Sequence, residues 1–113
     1  MFRILPTVLA VDAYLQAVLA GRFLSGDFGM LLGHRFNGTL GVAILSFLLV
    51  VVSIVAWRTE LVPGRAVVYA TGLSGAIVLQ VIMGFDRNLG VHIPLGVAVI
   101  ALSTIMAVWA WRR

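Results

Sequence analysis

The chain has 113 residues, of which 62% are hydrophobic and 11% charged, with a formal net charge of +4. Soluble domains seldom exceed about half apolar residues, so this composition excludes an ordinary soluble globular protein and predicts a membrane protein whose first partner is the lipid bilayer. Cysteine is absent, which excludes disulfides, thiolate metal sites and covalent haem attachment. The basic residues are all arginines at the ends of apolar stretches, so we predict no nucleic-acid partner.

Four apolar stretches follow, each close to the roughly 20 residues that a helix needs to cross about 30 Å of hydrocarbon. The alternating polarity of barrel strands is absent, and only helices otherwise satisfy the backbone in lipid. We therefore predict a single all-α transmembrane domain over residues 1–113. It is expected to be an up-down four-helix bundle with spans at about 4–23, 34–57, 66–85 and 91–111.

The first span carries two polar side chains one helical turn apart, Asp12 and Gln16. Because this span lacks a small-residue cleavage site, we interpret it as a helix of the mature protein rather than a signal peptide. An ionised carboxylate at this depth costs roughly 2.5–3.5 kcal/mol, so we expect Asp12 to face the bundle interior, with Gln80 of the third span as its hydrogen-bond partner. Two roles stay open for Asp12: a polar clamp between helices one and three, which we favour, or a contact for a proton or quinone.

The chain's two histidines, His34 and His92, head the second and fourth spans, and each is followed four residues later by glycine, Gly38 or Gly96. The second and fourth helices of an up-down bundle are diagonal, and cofactor sites form between such helices. A glycine one turn deeper on the same face leaves room for a flat macrocycle. The pattern therefore predicts a haem iron between two imidazoles; interfacial packing and a metal or proton-relay role are the alternatives.

The arginines predict both orientation and haem contacts. Arg35 follows His34 and Arg87 precedes His92, so both are expected to pair with haem propionates. The five arginines of one side outnumber the three of the other, which predicts a plasma-membrane protein with cytoplasmic N and C termini and histidines near the outer face. The two sets are Arg3, Arg58, Arg65, Arg112 and Arg113 against Arg22, Arg35 and Arg87.

The two halves of the chain resemble each other. Leu15-Gln16 with Gly21 is echoed by Leu79-Gln80 with Gly84, and each group precedes a loop aspartate and a His-x-x-x-Gly segment. This repetition predicts a duplicated helical hairpin with the histidine on the second helix of each copy.

Two segments, Gly33-His34-Arg35 with Gly38 and His92-Ile93-Pro94-Leu95-Gly96, resemble the haem-ligand helices of haem A synthases. Those enzymes comprise two four-helix halves, and this chain is similar to one half over nearly its whole length. It is also similar to small four-helix bacterial membrane proteins of unassigned function. The resemblance implies b-type haem ligation by His34 and His92. The family's glutamate before the His-Arg pair is replaced here by Gly29-Met30-Leu31-Leu32, so no catalytic residue is predicted.

The first functional hypothesis is thus a haem b-binding membrane protein that transfers electrons or handles haem, with a redox or haem-handling partner. The absence of the family-like glutamate favours a protein that is not an enzyme, and this question stays open. The alternative is a cofactor-free accessory or scaffold subunit of a larger membrane complex. Both a homo-oligomer and a hetero-oligomer stay open.

Overall fold

The computed structural model describes residues 2–113 and contains four long helices and, within those residues, no strand. In chain order they are α1 (Ile4–Leu24), α2 (Met30–Arg58), α3 (Arg65–Phe85) and α4 (Leu89–Trp111). Each is long and apolar enough to cross a membrane. The predicted all-α, multi-pass four-helix architecture is confirmed. One boundary differs by more than two residues: α2 begins at Met30, so His34 lies one turn inside it.

Short connections fold the helices back on one another, as an up-down bundle requires. The first turn uses Gly26 at a φ of +104°, a conformation that side chains with a Cβ rarely adopt. Glu60 and Arg87 take the left-handed conformation in the other two turns, at φ values of 59° and 57°. In the first connection Arg22 donates to Asp27 at 2.8 Å, an exposed ion pair of the kind worth about 0–1 kcal/mol.

The bundle is 48 Å long and 21 × 20 Å across. Helix α1 packs on α2 and α4, and α3 packs on the same two helices. No Cα of α2 lies within 8 Å of a Cα of α4, and the same holds for α1 and α3. The predicted diagonal placement of the second and fourth helices is confirmed.

The centre of the bundle is built from aliphatic and small side chains. Leu9, Leu49, Ala70 and Ile77 are at most 1% exposed. Many large apolar side chains instead point outward, among them Phe47 at 65% exposure. Small residues allow close helix approach in lipid, where apolar side chains gain nothing by leaving the surface. This distribution is that of a bundle whose solvent is hydrocarbon.

Both ends of the described chain lie at the same end of the bundle. Arg3 donates to the backbone carbonyl of Arg113, and its guanidinium carbon lies 5.8 Å from the Trp111 ring centroid. Arg113 stacks on Trp109 at 4.5 Å, and Trp111 Nε1 donates to Thr7 Oγ1 at 2.8 Å. Arginines and tryptophans thus form a belt of the type found at membrane interfaces. The histidines lie at the opposite end.

Candidate functional site

His34 and His92 meet across the diagonal of the bundle. Their ring centroids are 6.1 Å apart, and the ring planes are inclined by 78°. Helices α2 and α4 are separated at the backbone, so each imidazole spans part of the gap between them. The two histidines that the sequence singles out are therefore neighbours in space, and both are half-buried.

Each imidazole is held by a backbone carbonyl of the preceding helix. His34 Nδ1 lies 3.1 Å from the carbonyl oxygen of Gln16, and His92 Nδ1 lies 2.8 Å from that of Gln80. A carbonyl oxygen only accepts, so each Nδ1 carries the hydrogen and donates it. In a neutral ring this leaves the Nε2 lone pair unprotonated. Among the described residues, no hydrogen bond reaches either Nε2.

The two glycines accommodate glutamine side chains. A Cβ at Gly38 would lie 2.7 Å from Gln16 Nε2, and a Cβ at Gly96 would lie 2.8 Å from Gln80 Nε2. From the sequence we expected a macrocycle beside each glycine. In the structure, the side-chain amide of a glutamine lies there instead. The same glutamine–histidine–glycine contact occurs in both halves. This repetition supports the predicted duplication, which stays a prediction.

Gly84 makes a contact that the repeat alone does not indicate. A Cβ there would lie 2.7 Å from Cε1 and 3.1 Å from Nδ1 of His92. Gly21 is the counterpart of Gly84 in the predicted internal repeat, and no atom lies within 4 Å of its Cβ position. The two glycines stand five and four residues after Gln16 and Gln80, so they lie on different faces of their helices. Gly84 thus belongs to the site and Gly21 does not.

Both predicted arginines lie at the histidine end of the bundle. The guanidinium carbon of Arg35 is 5.5 Å from the Phe85 ring centroid, a cation–π distance. Arg87 is exposed in the connection between α3 and α4. Neither guanidinium forms an ion pair within 4.0 Å with a described residue. Both therefore stay accessible to an external anion.

Asp12 lies elsewhere than the sequence suggested. Its expected partner Gln80 stands on α3, which is diagonal to α1. Instead, Asp12 Oδ2 lies 2.9 Å from the position that a Cβ of Gly41 would take, and Asn37 Oδ1 lies 2.6 Å from it. The acid thus faces α2 rather than α3, and a polar clamp between helices one and three does not form. Gln80 Oε1 is left buried without a hydrogen-bond partner among the described residues.

Both histidine helices lose regular α-helical hydrogen bonding just beyond the imidazole. In α2 the segment Asn37–Val42 is π-helical, and in α4 Pro94 lies inside the helix. Proline has no N–H to donate to the preceding turn, and π-helical turns are frequent at functional sites. The sequence shows Pro94 directly. The only sign of the π segment is the run of Gly38, Thr39 and Gly41.

The donor set is limited to the two imidazoles. Within residues 2–113, no group of three or more His, Cys, Asp or Glu side chains is arranged to hold a metal ion. Comparison of the chain with protein-family models, with curated proteins and with solved structures finds no match in any of the three.

Proposed function

We propose that this chain is a small integral membrane protein that binds haem b, with His34 and His92 as the two residues that would hold the iron. The observation that carries the proposal is that both imidazole rings are anchored through Nδ1 in the same way. Each donates Nδ1–H to a backbone carbonyl, which leaves Nε2 as the nitrogen available to a metal ion. An N–H anchored in this way is the usual outer contact of a metal-ligating histidine, because it fixes both tautomer and orientation.

The separation of the rings also suits a shared metal ion. Two imidazoles on opposite sides of one ion, with bonds of about 2 Å, have ring centroids roughly 6 Å apart. The observed separation is 6.1 Å. Both rings come from helices whose backbones do not pack directly on each other, so small helix shifts can adjust the spacing.

The ligand count favours haem over a bare ion. Structural zinc is almost always held by four protein ligands, and catalytic zinc by three, whereas no cluster of three candidate ligands exists among the described residues. A porphyrin supplies four nitrogens of its own, so two histidines complete the coordination. Arg35 and Arg87 lie at the same end of the bundle and would pair with propionates, since a guanidinium matches a carboxylate.

Bound haem would supply a one-electron redox centre. His34 and His92 would hold the iron, and two imidazole ligands from the protein would leave no place for oxygen, which suits electron transfer or haem delivery. Haem A synthases have a glutamate before the His-Arg pair and this chain does not, so we propose haem binding rather than catalysis. Any redox or haem-handling partner, or a second copy of the chain, would meet the exposed helix faces or the short connections.

A cofactor-free accessory subunit is the second candidate, and one observation favours it. The imidazoles already touch edge to face, and the glycine clefts already hold Gln16 and Gln80. Such contacts would let both histidines serve as polar links between helices. A fixed partner that copurifies from native membranes, with no chromophore on this chain, supports this candidate.

The deciding experiment is a visible spectrum of the detergent-purified protein before and after titration with haemin. We expect a low-spin spectrum with a distinct α-band on reduction with dithionite. His34→Ala and His92→Ala should each abolish six-coordination. Thr39→Ala is the matched control, because it also removes a polar side chain from α2, one whose hydroxyl donates only to its own helix.

Added imidazole separates loss of a ligand from loss of the fold. If His34→Ala removes only a ligand, free imidazole restores the low-spin spectrum. Wild-type protein that stays colourless at saturating haemin, with intact helical circular dichroism, rules out the haem proposal.

The proposed setting is the plasma membrane with both termini in the cytoplasm, because the arginine-rich end carries five arginines and cytoplasmic loops carry the excess of positive charge. Reporter fusions test this placement. A fluorescent protein fused after Arg113 should mature, and a periplasmic phosphatase at the same point should stay inactive. The opposite pattern reverses the orientation.

A further inference from the structure

A chain of hydrogen bonds leads from the histidine end toward the middle of the membrane. Gln16 Nε2 donates to the backbone carbonyl of His34 at 2.7 Å, and Asn37 Nδ2 donates to Gln16 Oε1 at 3.1 Å. The carbonyl of His34 only accepts, so it fixes the orientation of the Gln16 amide, which in turn fixes that of Asn37. The remaining oxygen of this chain, Asn37 Oδ1, is thus an acceptor. We call Gln16, Asn37 and Asp12 the polar arm.

At the end of the arm, two oxygens face the same point beside Gly41. Asn37 Oδ1 and Asp12 Oδ2 lie 2.6 and 2.9 Å from the same point, the Cβ position of Gly41. No hydrogen bond from a described residue reaches either oxygen. An amide oxygen repels an ionised carboxylate but accepts from a protonated one.

Within residues 2–113, no positive charge compensates Asp12. The single ion pair among the described residues joins Arg22 and Asp27, so no arginine lies within 4.0 Å of the Asp12 carboxyl. The elements packed on α1 are α2 and α4. Their titratable and charged groups are at the histidine end (His34 and Arg35 of α2, His92 of α4) or at the opposite end (Arg58). On α1 itself, Tyr14 Oη accepts a hydrogen bond from Thr104.

The second half of the molecule lacks the arm. Ala76 occupies the position equivalent to Asp12, and Leu95 the position equivalent to Asn37. Gln80 Oε1 is consequently buried without a partner. The architecture of the bundle therefore does not require an acid here, and the arm is a feature of the first half alone.

Asp12 also lines a depression on the lipid-facing side of α1. The depression measures about 340 Å³ and is otherwise lined by Thr7, Val8, Val11 and Leu15. Val11 is 64% exposed. A molecule dissolved in the bilayer can thus reach the surface beside Asp12 without crossing the bundle.

We propose that Asp12 is an intramembrane proton-binding site, a neutral carboxylic acid that donates its O–H to Asn37 Oδ1 and is reached from the lipid through this depression. An uncompensated charge at this depth is costly, and the proton both removes the charge and satisfies the amide oxygen. The proposal is independent of haem, because neither Asp12 nor Asn37 touches a ligating nitrogen.

A lipid-soluble carbodiimide tests the proposal in proteoliposomes at neutral pH. The acid O–H adds across one C=N bond: the carboxyl oxygen bonds to the central carbon, the proton moves to nitrogen, and nothing leaves. We expect one adduct at Asp12, located by peptide mass analysis and absent from Asp12→Asn. A water-soluble carbodiimide should modify exposed Glu60 and Asp86 and spare Asp12. Absence of the Asp12 adduct with the lipid-soluble reagent overturns the proposal.

Two further comparisons keep the test independent of folding. Asp12→Asn can still donate to Asn37 Oδ1, so it should keep the wild-type melting temperature, whereas Asp12→Leu should lower it. If Asp12→Asn and Asp12→Leu lower the melting temperature equally, Asp12 does not donate a hydrogen bond to Asn37.

Val11→Phe should slow labelling of Asp12 by the lipid-soluble carbodiimide. Val97→Phe is the control, because Val97 is equally 64% exposed but lies on α4, and it should not slow labelling. If Val11→Phe is labelled as fast as the wild type, the reagent does not enter through the depression.

Discussion

The imidazoles of His34 and His92 face each other across the bundle diagonal with ring centroids 6.1 Å apart, although their helices have no Cα pair within 8 Å. The histidine pair thus bridges two helices whose backbones are not in contact. Every contact that orients either ring therefore controls the site, and these contacts can be changed one at a time.

Gly84→Ala should displace the His92 ring. The added Cβ would lie 2.7 Å from Cε1 of that ring, closer than real side-chain contacts permit, and the bond to the Gln80 carbonyl would be lost. We expect weaker haemin binding and a perturbed reduced spectrum. Gly21→Ala is the control, because nothing lies within 4 Å of its Cβ position. Identical spectra for the two variants would show that Gly84 does not position His92.

Gly38→Ala should destabilise the bundle by about 1–3 kcal/mol, because the added Cβ would displace the Gln16 amide from its hydrogen bonds with the His34 carbonyl and Asn37. Gly72→Ala meets no neighbour within 4 Å and should be neutral or stabilising by roughly 0.5–1 kcal/mol, since alanine favours helix more than glycine does. Thermal unfolding in detergent, followed by circular dichroism, measures both. The double variant Gly38→Ala with Gln16→Ala should recover part of the loss, and a strictly additive result would argue against their contact.

Gln16→Met should be more harmful than Gln80→Met. Gln16 forms hydrogen bonds with the His34 carbonyl and with Asn37, and breaking buried pairs leaves unsatisfied groups that cost about 1–3 kcal/mol. Gln80 Oε1 has no described partner, so its removal should cost less or stabilise. The same unfolding assay ranks the two, and a reversed ranking would contradict the hydrogen-bond assignment.

Two serines on α2, seven residues apart, should respond differently to alanine. Ser46 Oγ lies 3.2 Å from Ser74 Oγ and links α2 to α3, so Ser46→Ala should cost roughly 0.5–1.5 kcal/mol. Ser53 Oγ is buried with no described partner, and Ser53→Ala should be neutral or slightly stabilising. A marked loss of stability for Ser53→Ala would reveal an undetected partner of its hydroxyl.

The sequence determined the features that depend on local composition and periodicity. The length and hydropathy of each stretch fix four membrane helices, and the up-down order that short loops impose makes α2 and α4 diagonal. The chain order also brings His34 and His92 to one end. These conclusions need no knowledge of side-chain packing, which explains their agreement with the structure.

Only the tertiary structure decided which side chains meet across helices. The axial register and rotation of α1 against α2 place Gln16 on Gly38 and Asp12 beside Asn37, whereas the sequence joined Asp12 to Gln80 and left the glycine faces open. Hydropathy is nearly uniform within such helices, so it does not encode rotation; the fit of small and polar side chains does. The sequence identified the histidine pair, and packing determined how the rings are anchored and where the intramembrane acid lies.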